Sequence, residues 1–105
     1  MADLAKQILA QAAATGGETW GKIQKSAPLY VKSYAQSLVD IAAGVVAGEI
    51  TKKDAKMYVQ NAHLLLVMGI ANTSHIILAQ VQKFIDGVIA TLKSAINAAL
   101  PIAIL

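Results

Sequence analysis

No cysteine occurs in the 105 residues, which excludes a disulfide framework, a thiolate metal site and a cysteine nucleophile. Arginine is missing too: all nine basic residues are lysine. Bidentate recognition of phosphate or base edges is thereby lost, although lysine can still meet phosphate as a point charge. Charge of either sign is sparse, at 14% of the chain against about 25% in an ordinary soluble protein. Proline stands only at Pro28 and Pro101, so little interrupts the intervening chain.

Apolar side chains fill the place of charge. They make up 56% of the residues, with a mean hydropathy of +0.55, where a globular chain has about 45–50% even with glycine included. A chain this short buries only about two thirds of the surface that its unfolded form exposes. The excess must be covered by a bilayer or by neighbouring subunits. The opening MADLAKQILAQAAATGGETW has an acid at Asp3 and a short apolar run, unlike a secretory signal, so residue 1 is expected to start the working protein.

Apolar spacing follows the helical period throughout. The first segment puts Leu4, Ala5, Ile8, Leu9, Ala12, Trp20 and Ile23 on one face and predicts a helix over about 3–24, with a kink near Gly16 and Gly17, each costing about 1 kcal/mol relative to alanine. Ser26 can cap a second helix over 28–47, with Pro28 in its first turn, where a missing N–H costs nothing. In GEITKKDA, Gly48 suits a left-handed helix stop, and Thr51 with Asp54 forms an acidic variant of the capping box. A tight turn between antiparallel helices follows.

From Lys52 to Ala99 there is no proline. Leu66, Ile70, Ile77, Val81, Phe84, Val88, Leu92, Ala95 and Ala99 keep one helical stripe, opposed by Asn72, His75, Gln82, Lys83, Asp86, Lys93 and Asn97. Only 62–71 is apolar all round, about half of what a lone membrane span needs. The stripe keeps its phase across Asn72, so the reading is one helix over 52–99, continuous or mildly kinked near 72 and roughly 70 Å long. The alternative is a break at Gly69 or at Asn72-Thr73-Ser74, giving a four-helix monomer.

No catalytic, cofactor-binding or metal site is expected. His63 and His75 would lie about 120° apart and more than about 15 Å along one helix, too far to share an ion. His63 sits in the apolar arc and needs a hydrogen-bond partner. The six carboxylates, Asp3, Glu18, Asp40, Glu49, Asp54 and Asp86, are scattered and make no acid/base pair. The glycines follow no strand and precede no Gly-Lys-Ser/Thr, so they are not phosphate loops. Gly44 with Gly48, and Ala12, Ala13, Gly16 and Gly17, are small-residue patches that suit close helix approach within the chain or between subunits. Lys52, Lys53 and Lys56 stand in a helix's first turns, against the macrodipole; Lys22, Lys25 and Lys32 flank Ser26. All six either solvate exposed ends or contact a polyanion, phosphate or anionic lipid.

In the helical hairpin around GVVAGEITKKDA, the charge-poor IANTSHIILAQVQKFIDGVIATLKSAINAAL and the lysine-only basic complement, the chain resembles the small hydrophobic all-helical coat proteins of filamentous and spindle-shaped archaeal viruses. It is less similar to the hydrophobic pilins of conjugative filaments. The expectation is a single all-α domain over 1–105: a helical hairpin or elongated bundle with a long C-terminal helix, in a multi-subunit assembly. The predicted function is that of a self-assembling structural subunit, a viral coat or filament protein, located in a virion or an extracellular filament and present in many copies. A membrane-active pore former or holin-like protein is the alternative, and an enzyme with a small-molecule substrate is not expected. The assembly contacts expected are Gly44, Gly48, Leu66, Ile70, Ile77, Val81, Phe84, Val88 and Leu92, with Ile102, Ile104 and Leu105 docking into a neighbouring subunit beyond a helix stop at Pro101. Lys22, Lys25, Lys32, Lys52, Lys53 and Lys56 are the candidate contacts to nucleic acid, without sequence preference, or to lipid.

Overall fold

Asp3 opens the first helix by accepting the Lys6 amide on its carboxylate at 3.2 Å. The computed structural model describes residues 3–105, and these form five helices: α1 (Leu4–Thr15), α2 (Gly17–Ile23), α3 (Ala27–Val46), α4 (Lys52–Ser74) and α5 (Leu78–Ala99). The all-helical class read from the sequence holds. The kink expected at Gly16 is a break between α1 and α2. Gly17 takes a φ of +50°, and at Gly16 any side chain would strike Trp20 and Phe84.

Ser26 precedes α3 as expected, but its hydroxyl caps no amide. It bonds instead to the Ile23 carbonyl at 3.2 Å and to the Ser74 hydroxyl at 2.6 Å, which ties the start of α3 to the end of α4. At the other end of this antiparallel hairpin Gly48 has φ +77°. The Glu49 and Ile50 amides donate to the Gly44 carbonyl at 2.9 and 3.1 Å, satisfying a helix end that would otherwise be orphaned. Thr51 accepts the Asp54 amide at 3.1 Å, as the capping pattern requires.

The continuous helix expected over 52–99 is two helices. His75 adopts the left-handed conformation, φ 57° and ψ 38°, and the Ile76 amide reaches back to the Ala71 carbonyl at 3.2 Å, a bond that stops a helix. The chain reverses through Ile76 and Ile77, and α5 returns along α4. Gly69 and Asn72-Thr73-Ser74 stay inside α4.

With the reversal, the chain buries most of the 52–99 apolar stripe within itself. Ile8, Ile23, Leu38, Leu66, Ile70, Ile85 and Ile96 meet in one fully buried core. The radius of gyration is 13.4 Å, close to the roughly 13 Å of a globular chain of this length.

Pro101 ends the last helix as predicted, with Leu100 held extended before it. The tail then folds back onto its own chain. Asn97 Oδ1 accepts the Ile104 and Leu105 amides at 3.2 and 3.0 Å, and Ile102, Ile104 and Leu105 pack against the core.

Candidate functional site

Most of the expected assembly contacts are occupied within the chain. Leu66, Ile70, Val81 and Val88 are buried in the core, and Phe84 and Leu92 pack against it. Gly44 faces Ile50, which occupies the space of a side chain there, and Gly48 is turn punctuation with nothing near it. Ile77 alone of the helix positions is free, 74% exposed in the α4–α5 turn.

The apolar surface left over lies elsewhere, on the outer face of α4. Met57, Tyr58, Leu64, Leu65 and Met68 are all exposed, Leu65 to 69%. Their spacing of three, four and seven puts them on one stripe, opposite the buried Ala55, Leu66 and Ile70. The stripe is charge-free, with Asn61 and Asn72 as its polar members. The sequence reading followed the face that α4 buries and missed the face that it exposes. The run HLLLVM, apolar on every side, was the signal available.

The six lysines do not form one surface. Lys22, Lys25 and Lys32 lie toward the end of the hairpin where Ser26 meets Ser74, and Lys52, Lys53 and Lys56 begin α4 at the other end, roughly 30 Å away along the helix. All six are exposed. Lys22 also lies 3.7 Å from Glu18, a surface pair of little energetic weight.

Between α4, α5 and the C-terminal tail runs a cleft of about 490 Å³, lined by Val59, Val67, Ile89, Ile104 and Leu105 with Lys56 and Lys93 among its polar members. On its wall His63 finds the partner that its place in the apolar arc demanded: Nε2 lies 2.5 Å from Asp86 Oδ1. Tyr34 sets its ring edge-on to His63, at 6.3 Å between centroids. Tyr34 is only 2% exposed, and burial pushes its phenol from 10.0 up to about 12, because an ionised oxygen is poorly solvated there. Among the described residues, no group of three metal-ligating side chains comes together, and no helix is long and apolar enough to cross a membrane.

Set against known protein families, curated proteins and solved structures, the chain matches none.

Proposed function

We propose that the protein is a self-assembling structural subunit, the building unit of a coat or filament, and that copies join through the outer face of α4. The exposed, charge-free stripe from Met57 to Met68 carries this reading. Contiguous apolar patches of this kind mark interaction surfaces. The favoured occupant is a second copy of the same chain. Leu64 and Leu65 sit near the middle of the stripe, so a two-fold, antiparallel pairing of α4 with α4 lays each half on the other and closes a pair, the repeating unit from which the larger assembly is built. That direction also sets the Lys52, Lys53 and Lys56 end of one copy beside the Asn72 and His75 end of its mate. A parallel pairing would bring the lysines together. The virion or filament setting follows from the resemblance in composition and helical make-up. The separation of the lysines favours local contacts over a single face for nucleic acid.

Sedimentation at micromolar concentration tests the reading. A dimer or larger species is expected for the native chain, and Leu64→Glu with Leu65→Glu should return it to an 11.0 kDa monomer of unchanged helical content. A native chain that sediments as a stable monomer would overturn it.

A further inference from the structure

The cleft between α4, α5 and the tail is not part of the proposed assembly face, which lies around the outer side of α4 and touches it only at Leu64. Its volume of about 490 Å³ falls within the roughly 300–1,000 Å³ of small-ligand sites. Its floor is aliphatic and drawn from three segments: Val59 and Val67 from α4, Ile89 from α5, and Ile104 from the tail. The formally charged side chains that line it, Lys56 and Lys93, carry the same sign, and no aspartate or glutamate side chain lines it. The nearby Asp86 is engaged by His63. Lys52 and Lys53 line an adjoining hollow under the same tail, with Lys56 common to both.

Tyr34 adds a hydrogen-bond donor to the wall. It is almost wholly buried and lines the cleft, yet its hydroxyl has no hydrogen-bond partner among the described residues. Among the described residues no buried side-chain polar atom lacks a partner, so this hydroxyl is open to the cleft and faces whatever occupies it. The phenol stays protonated far above neutral pH, so it is available as a donor.

We propose that this cleft binds a single-chain anionic amphiphile, with its acyl chain along Val59, Val67 and Ile89 and its headgroup on Lys56 and Lys93. The aliphatic floor takes the chain through ordinary apolar burial. The two lysines select the sign of the headgroup, and as point charges they accept carboxylate or phosphate alike.

The test is calorimetric titration of the full chain with dodecanoate and dodecyl phosphate below their micelle concentrations, beside the uncharged dodecyl maltoside. Saturable binding of one anion per chain is expected, weakening about fourfold for each methylene removed from the probe. Lys56→Gln with Lys93→Gln, both at exposed positions, should weaken the two anions about tenfold or more and leave the maltoside unchanged. A preference between the two anions would identify the headgroup as carboxylate or phosphate. Ala90→Trp should block all three probes by filling the cleft, with the thermal unfolding midpoint checking that the variant folds. Equal binding of maltoside and dodecanoate, an unchanged lysine variant, or no saturable binding would each overturn the proposal. A Leu65→Glu, Met68→Glu chain, altered on the exposed α4 stripe and outside the cleft lining, should lose assembly and still bind the anions, so a failure of assembly and a failure of the cleft are read separately.

Discussion

The ring of Tyr30 occupies the space beside Gly69 that a side chain would fill, and its hydroxyl is hydrogen-bonded to Thr73 Oγ1 at 2.7 Å. Gly69 and Thr73 are one turn apart on α4, so a single aromatic side chain from α3 spans both. The hydrogen bond holds the ring where it is. A methyl group at Gly69 therefore meets a neighbour that cannot swing away without losing that bond.

Gly69→Ala should lower stability by about 1 kcal/mol. Alanine gains about 1 kcal/mol over glycine in a helix interior, and overpacking takes back about 1–3 kcal/mol. Gly87→Ala is the reference, since Gly87 is also helical and has nothing within 4 Å of a side-chain position. It should gain up to about 1 kcal/mol. Urea midpoints of the two variants should move in opposite directions. If both rise, the Tyr30 ring yields and the packing is loose.

What the sequence revealed of the fold was local. The turn at Gly48 and Thr51, the break at Gly16-Gly17 and the stop at Pro101 each rest on residues within one helical turn of the feature. The reversal at His75 has no such marker: Ile77 stands at the N-cap position of α5 and makes no side-chain cap. Thr73 and Ser74, which looked like caps, spend their hydroxyls on Tyr30 and Ser26 across the hairpin. Burial of Val81, Ile85 and Val88 in the common core favours the reversal, and that is a tertiary effect. The cleft was hidden for the same reason, since its walls come from α3, α4, α5 and the tail.

The left-handed His75, at φ 57°, carries a second prediction. That conformation costs an L-residue about 1–2 kcal/mol, and glycine escapes the cost. His75→Gly should raise stability by about 1 kcal/mol, while the β-branched His75→Val should lower it by about 1–2 kcal/mol. Denaturant midpoints measure both. Were α4 and α5 one continuous helix, glycine at this point would destabilise it, so the sign of the glycine effect tests the reversal itself.

Tyr34 gives the pH dependence. In the unfolded chain its phenol ionises near 10, and in the folded chain burial holds it protonated up to about 12. Below the unfolded value the phenol is neutral in both states, and its contribution to stability is fully present. Between the two values the unfolded chain loses the proton and the folded chain does not, so stability falls as pH rises through that window. The two-unit shift corresponds to a loss of about 2–3 kcal/mol by the upper end. Lysines titrate over the same range, so the quantity to measure is the difference from Tyr34→Phe. At neutral pH that variant should stay within about 1 kcal/mol of the native chain, since the hydroxyl it loses has no protein partner. As pH rises from about 9 to about 12, the native midpoint in urea should fall relative to the variant. Parallel curves would mean that the hydroxyl is hydrated in the folded chain and that the wall of the cleft is wetter than its geometry implies.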